Sequence, residues 1–281
     1  MNKNQYRGMT RRAVLGGMGT LGVSGFVGGA TANPGNGYGF PPRGRTDYSD
    51  PEQLGDGEVK AFLADHPQDK WTYLGVEMTA EAATIDETEY PDRDLVSIGF
   101  PGDTQFEWLG LNWEPAGHGP PDVYGVPHFD IHFYLEPEDV INQIEPVNYP
   151  PGTGDPYAVE LADDQFPPGY FRTRAVVANM GEHLFDATSH EWEAPGVPSG
   201  EQFTETFVWG HYDGDLHFFE PMITTEFFAG LEGTVTEPIS MPDRMPEAGA
   251  YPTEYRIAYH KNRDAYTVTL AVFESFEESE E

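Results

Sequence analysis

Short runs of apolar and aromatic residues recur along the chain from residue 94 onward, with polar residues alternating among them. Each run is bounded by proline, glycine or aspartate, which favour turns over strands. Because successive side chains of a strand point to opposite faces, this period of two predicts strands. We predict eight: Asp94–Phe100, Gln105–Trp113, Val126–Leu135, Phe171–Ala178, Glu201–Trp209, Gly214–Met222, Glu254–His260 and Tyr266–Phe273.

The connections between these runs indicate the architecture. Only Lys261–Asp264 separates the last two runs, which predicts a hairpin. Helical signals are few: Pro137–Ile141 and Thr224–Phe228 each predict one short helix. With 25 prolines in the chain, the pattern favours an all-β, mainly antiparallel domain with few short helices. A closed barrel and a sandwich both fit, and cupin-like and calycin-like folds are the alternatives.

The run Val126–Leu135 carries the strongest signal for chemistry. His128, Asp130 and His132 occupy alternate positions in it and therefore share one face of the strand. The opposite face is uniformly apolar and is formed by Phe129, Ile131 and Phe133. We expect the apolar face to pack against a core or a neighbouring sheet. Two imidazoles and a carboxylate then point into whatever covers the other face.

Two imidazoles do not complete a metal site, but the chain offers further ligands. One histidine lies in a Pro–Gly loop that can fold back over the strand, another lies at the end of a strand, and a glutamate lies in the run Gly214–Met222. Neutral imidazoles with a carboxylate suit zinc, iron, manganese or copper. We therefore predict a divalent transition metal at this cluster, where Asp130 can also act by orienting a histidine ring. The candidate ligands are His128, His132, His183, His118, Asp130 and Glu220.

A second interpretation of the same residues needs no metal. The histidines and the aspartate can form a polar network in which the carboxylate only pairs with the rings. Other kinds of site find little support, because the chain has no Gly-x-Ser-x-Gly elbow, no cysteine, and no phosphate, dinucleotide or calcium loop. Scattered carboxylates such as Glu107, Glu114 and Glu191 could serve a glycosidase, but acids are common throughout this chain.

The N-terminal segment has the features of an export signal. Arg11 and Arg12 precede an apolar, glycine-rich stretch, and Ala30–Ala32 supplies a small-x-small cleavage sequence. The stretch is too short and too weakly apolar for a membrane span, which needs about 20 residues. We predict a twin-arginine signal peptide over residues 1–32, cleaved after Ala32. The partner it implies is the twin-arginine export machinery, and the destination is the cell envelope or the extracellular space.

The remaining chain divides by composition into three parts. Residues 33–51 are rich in glycine and proline and predict a disordered arm. Residues 52–275 predict a single β-rich domain, and residues 276–281 predict an acidic tail. Because the chain contains no cysteine, burial of the core must stabilise the domain without disulfides.

Acidic residues dominate the charge, with 48 acidic against 15 basic residues and a net charge of −33. Such a chain repels itself in dilute buffer, and molar salt screens the repulsion by shortening the Debye length to about 3 Å. This composition resembles that of proteins from halophilic archaea. The charge argues against nucleic acid and anionic membrane surfaces as partners. A homo-oligomer and an unknown small-molecule ligand remain open.

Four segments together resemble an uncharacterised family of exported bacterial and archaeal proteins. They are Gly117–Tyr134, Met180–His183, Tyr212–Gly214 and Glu220–Thr224, and the similarity extends from Thr72 to Phe273. One member of that family is produced under a stress sigma factor in a thermophilic bacterium. The resemblance implies a β-rich fold and ring-like oligomers, but it carries no established activity. His211 departs from the family pattern, in which an apolar residue or a tyrosine is expected, and is a weak ligand candidate.

These features together predict an exported β-domain protein of halophilic type that binds a transition metal through its histidine cluster. Its activity is uncharacterised, and whether it is an enzyme stays open. As an enzyme it would resemble cupin-type metal catalysis, in which an open coordination position activates water or dioxygen. The alternative is a non-catalytic envelope or stress-associated protein, active in binding or assembly, whose histidine and aspartate residues form a structural network.

Overall fold

The computed structural model describes residues 45–65, 72–148 and 160–280. The predicted signal peptide and residues 33–44 of the predicted arm lie outside the described residues. None of the helices within the described ranges is long and apolar enough to cross a membrane.

Strands make up most of the described chain, and a few short helices connect them. The strands are β1 Thr46–Tyr48, β2 Glu52–Leu54, β3 Gly57–Asp65, β4 Thr72–Thr79, β5 Asp94–Gly99, β6 Trp108–Glu114, β7 His128–Tyr134, β8 Val147–Asn148, β9 Tyr170–Val177, β10 Gly181–Asp186, β11 Trp192–Ala194, β12 Val197–Pro198, β13 Glu205–Tyr212, β14 Asp215–Thr224, β15 Thr234–Pro238, β16 Gly249–His260 and β17 Ala265–Phe276. The helices are α1 Ala80–Ala83, α2 Pro121–Tyr124, α3 Glu138–Ile141 and α4 Thr225–Gly230, and Asp163–Gln165 forms a 3-10 turn.

Two antiparallel sheets contain nearly all of these strands. The first sheet has the order β1-β3-β4-β17-β16-β15, and β2 also pairs with β3. The second sheet has the order β5-β6-β7-β14-β13-β10-β9-β8, and β11 and β12 form a separate hairpin. β7 and β14 therefore lie inside the second sheet with neighbours on both sides. Every residue of β7 is buried.

The two sheets pack face to face. The apolar face of β7, with Phe129, Ile131 and Phe133, joins one buried cluster with Val76 and Val268 of the first sheet. The expectation that this face packs against a neighbouring sheet is confirmed. Neither large sheet closes on itself within the described residues, so the closed barrel and the calycin-like alternative are wrong. The arrangement is consistent with a sandwich, and the cupin-like alternative stays a prediction.

Connecting segments, including the two-stranded β11–β12 hairpin, cover the other face of the second sheet. α2, the β11–β12 hairpin and the residues before β13 contribute Tyr124, Trp192 and Phe203 to a second apolar cluster. These rings pack with Phe185 and Phe218 of the sheet. We call these segments the cover. Because the cover buries the polar face of β7, the candidate ligands lie between the second sheet and the cover.

All eight predicted strands are present, although their ends differ by a few residues. The two predicted helices are α3 and α4, and the predicted hairpin is formed by β16 and β17. Several strands escaped prediction, including β3, β4 and β10. β10 was missed because Glu182 and His183 interrupt its apolar pattern in the sequence. In the structure, five of its six residues are nevertheless buried.

The ends of the domain differ from the boundaries expected from composition. Thr46–Tyr48 lies within the predicted arm but pairs with β3. Glu278 lies within the predicted tail but forms a bridge with Met245, and the amide of Ser279 donates to the Met245 carbonyl. Backbone hydrogen bonds therefore order both segments, which composition alone does not reveal.

Candidate metal centre

The polar face of β7 points toward the cover. His128, Asp130 and His132 are all almost completely buried there. The neighbouring strand β6 places Glu114 directly opposite His128. The His132 ring stacks on Tyr134, with the ring centroids 5.3 Å apart and the planes nearly parallel. Packing against Tyr134 therefore holds the His132 ring in a defined position.

Two histidines face the carboxylate of Asp130. Nε2 of His128 lies 3.0 Å from Oδ1, and Nε2 of His118 lies 3.3 Å from Oδ2. His118 comes from the loop between β6 and α2, which folds back over β7. We call these three residues the outer triad, because the side chain of His118 is 23 % exposed.

Both histidines of the outer triad are oriented through their second ring nitrogen. Nδ1 of His128 lies 2.6 Å from the Val126 carbonyl oxygen, and Nδ1 of His118 lies 3.0 Å from the Gly119 carbonyl oxygen. A carbonyl oxygen only accepts, so each Nδ1 carries the hydrogen. In the neutral ring, each Nε2 then presents a lone pair toward Asp130. Orientation by a backbone carbonyl is common among histidines that bind metals.

A second group, the inner triad, lies further along the same face and consists of His132, His183 and Glu220. Nε2 of His132 lies 3.4 Å from Oε1 of Glu220, and Nε2 of His183 lies 3.6 Å from Oε2. No side chain of this triad is more than 10 % exposed. The ligands come from β7, β10 and β14, although β13 separates β10 from β14 in the sheet.

A glycine on β13 makes room for the inner triad. Gly210 pairs with His183 on one side and with Phe218 on the other. A β-carbon at position 210 would come within 2.0 Å of the Phe218 ring. That ring contacts both His132 and His183, at centroid distances of 4.8 and 5.2 Å. The positions of the two imidazoles therefore depend on glycine at position 210.

Several polar atoms of the triads are buried without a hydrogen-bond partner among the described residues. They are Nε2 of His128, Oδ1 of Asp130, both ring nitrogens of His132 and both carboxylate oxygens of Glu220. An unsatisfied buried donor or acceptor costs about 1–3 kcal/mol, and more when it is charged. A cation would satisfy the lone pairs on Nε2 of His128, on Nε2 of His132 and on the carboxylate oxygens, so the donor set fits a metal ion.

The spacing within each triad also fits a metal ion. Tetrahedral zinc binds nitrogen and oxygen at about 2.0–2.2 Å, which places neighbouring ligand atoms about 3.4 Å apart. The four nitrogen–oxygen distances are 3.0, 3.3, 3.4 and 3.6 Å. Within each triad, one ligand atom from each residue lies within 4.8 Å of the other two. Each triad therefore could hold one ion.

Opposite charges dominate the outer triad. Burial raises the pKa of Asp130, but the charges of His128 and His118 outweigh it and hold the pKa well below its usual value. Burial lowers the pKa of His118, but the charge and the hydrogen bond of Asp130 outweigh it and raise the pKa to about 9. Asp130 is therefore an anion that requires a cation beside it, either a protonated ring or a metal ion.

Burial dominates the inner triad instead. It lowers the pKa of His132 to about 4 and the pKa of His183 to about 3. It also raises the pKa of Glu220 well above its usual value, and the charge of Asp130 adds to this effect. The two imidazoles are therefore neutral near pH 7, which is the form that binds metals.

The structure brings together all six residues predicted as ligands, but it divides them between two groups. The prediction placed His128, His132 and His183 around a single ion. In the structure, His128 and His132 face different carboxylates, because four residues of one strand span about 13 Å. Asp130 faces two histidines directly and does not stand behind one ring. Glu220 occupies the centre of the inner triad.

His211 and His217 lie near the triads but outside them. Nε2 of His211 lies 3.1 Å from Glu182, whose carboxylate also accepts hydrogen bonds from Arg172. Burial raises the pKa of Glu182, but the hydrogen bonds from His211 and Arg172 outweigh it and lower the pKa to about 2. His211 thus belongs to an ion-pair network, and His217 is buried beside Gly181.

Two buried carboxylates beside the site were not distinguished by sequence. Oε2 of Glu114 lies 2.6 Å from Nε of Arg93, and Arg93 also donates to the Gly117 carbonyl in the loop of the outer triad. Glu191 is buried in the cover and accepts a 3.4 Å hydrogen bond from the Tyr124 hydroxyl. The alternation along β6 was a usable signal for Glu114. The loop around Glu191 carries no such pattern.

The comparisons with known proteins give no match, so the function is argued from the geometry of the two triads. No protein-family model, no curated protein and no solved structure matches this chain. The resemblance seen in the sequence motifs therefore stays a prediction. What the chain shows directly is a β-rich domain with buried groups of histidines and carboxylates that could hold a metal.

Proposed function

We propose that this protein binds divalent transition-metal ions, one in the outer triad and one in the inner triad. The observation that carries the proposal is the environment of Glu220. Its carboxylate is completely buried, and neither oxygen has a hydrogen-bond partner among the described residues. Each oxygen nevertheless faces the Nε2 atom of a histidine. As an anion, the buried carboxylate needs a positive partner, and a metal ion between the two imidazoles would supply it.

The ligand set defines the kind of metal and the chemistry that it supports. Two imidazoles and one carboxylate suit zinc, iron, manganese or copper. Three protein ligands leave at least one position for water or a substrate, as in catalytic metal sites, whereas structural zinc sites are closed by four protein ligands. A metal bound in this way activates water or polarises a substrate oxygen. A catalytic use of the metal is therefore part of the proposal.

We further propose that the protein acts outside the cytoplasm in high salt. The paired arginines and the cleavage sequence within residues 1–32 support export, and the net charge of −33 supports a saline setting. The resemblance to a family of exported proteins supports the same location. Twin-arginine export carries folded proteins, so the metal can be bound before export.

The competing proposal is a non-catalytic envelope or stress-associated protein in which the triads form a polar network. The contact between His118 and Asp130 favours it, because this pair is stabilised by its own opposite charges. The inner triad argues against it, since burial keeps His132 and His183 neutral and leaves an ionised Glu220 without a cationic partner in the part of the chain that the structure describes. Metal content distinguishes the two proposals.

Elemental analysis of the protein purified in molar salt, without chelators or a histidine tag, is the test. We expect one equivalent of metal for each triad in the wild type and a loss from both in His128→Ala/His132→Ala. The control His260→Gln alters a histidine of the first sheet, and it should keep the full metal content. Near-ultraviolet circular dichroism checks that each variant is folded. A wild type that binds no metal after ions are added back would refute the proposal.

A further inference from the structure

The two triads differ in their access to solvent. In the outer triad the side chain of His118 is 23 % exposed, whereas those of His128 and Asp130 are 0 and 4 % exposed. The inner triad has no side chain more than 10 % exposed. A molecule from solution therefore reaches the outer triad first, along the edge formed by His118.

An ion in the outer triad retains positive charge. Its ligands are two neutral imidazoles and the carboxylate of Asp130, so a divalent ion keeps a net charge of about +1. Glu114 lies directly opposite His128 in the sheet, but Arg93 offsets its charge at a distance of 2.6 Å. Because an uncompensated charge in the interior is unfavourable, the ion favours an anion in its remaining coordination position.

Aromatic rings limit the size of that anion. The Tyr124 ring lies 5.8 Å from the His118 ring, and the Phe203 ring lies 5.2 Å from the His128 ring. The rings of Tyr124 and Phe203 also contact each other, with centroids 5.0 Å apart. These rings close the side of the triad that faces the cover. This packing leaves a ligand only the approach beside His118, which favours a ligand of few atoms.

From access, charge and size, we propose that the ion of the outer triad binds a small anion from solution. The class comprises monoanions with an oxygen, nitrogen or halide donor, such as short carboxylates, azide and chloride. This inference rests on the proposed function, because it requires an ion in the outer triad. The ion of the inner triad is shielded from solution and takes no such ligand.

Azide is the probe, and cobalt(II) bound in place of the native metal reports its binding. The visible absorption of cobalt(II) changes when a ligand enters its coordination sphere. Sulfate replaces chloride in the buffer, because chloride belongs to the proposed class of ligands. We expect azide to change the spectrum in a saturable way, and we expect added chloride to compete with it.

Two variants assign the response to one triad. His118→Ala removes the exposed ligand of the outer triad and should abolish the azide response, while the cobalt of the inner triad remains. His183→Gln removes the cobalt of the inner triad and should keep the azide response. Near-ultraviolet circular dichroism verifies folding, and His118→Gln replaces His118→Ala if the alanine variant does not fold.

Three results have distinct meanings. An azide response that survives in His118→Ala and is lost in His183→Gln would assign the anion to the inner ion and overturn this inference. The absence of any azide response in a protein that carries cobalt in both triads would overturn it as well. Both results leave the proposed function intact. A wild type that binds no cobalt refutes the proposed function itself, and this is seen before azide is added.

Discussion

Nε2 of His183 lies 3.6 Å from Oε2 of Glu220, although β13 separates the two strands that carry them. The contact passes over Gly210, where any side chain would displace the ring of Phe218. The inner triad therefore exists only when three neighbouring strands are in register. Because its ligands assemble on folding, metal binding should also stabilise the folded state.

Glu220→Gln should remove metal from the inner triad and stabilise the metal-free protein. Burial already disfavours the charged form of Glu220 in the metal-free protein and raises its pKa. Glutamine cannot ionise, and its amide can donate to a ring nitrogen that faces it, so the substitution relieves about 1–3 kcal/mol of the cost of a buried group that has no hydrogen-bond partner within the described ranges. Denaturant unfolding in the presence of a chelator measures the free energy of unfolding, and elemental analysis measures the metal. Glu182→Gln is the contrast, because that carboxylate is paired with Arg172 and His211; its loss should cost about 3 kcal/mol. Equal destabilisation by both variants would contradict the role given to Glu220.

The two ions should leave the protein at different rates when a coloured chelator is added. The partly exposed His118 gives the chelator access to the outer ion, whereas the inner ion is released only after local opening of the cover. Stopped-flow absorbance should show a fast and a slow phase of equal amplitude. His118→Ala should lack the fast phase and keep the slow one. A single phase in the wild type would indicate that the triads are equally accessible.

Salt should raise the melting temperature of the protein. The net charge of −33 is repulsive at low ionic strength, and the Debye length falls from about 30 Å at 0.01 M salt to about 3 Å at 1 M. Differential scanning calorimetry over this range measures the effect, with sodium and potassium chloride expected to act alike. Sucrose at equal osmolarity does not screen charge and serves as the control. A melting temperature that is independent of salt would argue against a high-salt setting.

Acidification should destabilise the protein partly through His260. Burial and the charge of Arg263 lower the pKa of His260 to about 4, from an ordinary value of 6.5. Between these two values the unfolded chain binds a proton that the folded protein excludes, so stability is present above pH 6.5 and is lost as the pH falls toward 4. His260→Gln can keep the contact with Thr267 and should reduce the slope of unfolding free energy against pH in this window. An unchanged slope would show that other groups cause the loss.

Local patterns predicted the features that depend on one strand. The alternation in Val126–Leu135 placed His128 and His132 on one face and Ile131 on the other, and the structure has this arrangement. The alternation along β6 would have placed Glu114 on the polar face of that strand if the predicted strand had continued by one residue. Its position opposite His128 depends on the register between β6 and β7. Patterns fail for Glu191, which lies in a loop and is buried only because the cover folds over the sheet.

The sequence by itself determined the β-rich class, the shared face of His128, Asp130 and His132, and the acidic character of the chain. These features follow from the order of neighbouring residues, because strand geometry repeats every two residues. Only the tertiary structure decided that the two large sheets stay open over the described residues and that the ligands divide into two triads. Those outcomes depend on which strands become neighbours and in what register. His183 is an example, because it reaches Glu220 across Gly210 of the strand between them. Contacts between distant segments arise from packing of the whole domain, and no local pattern records them.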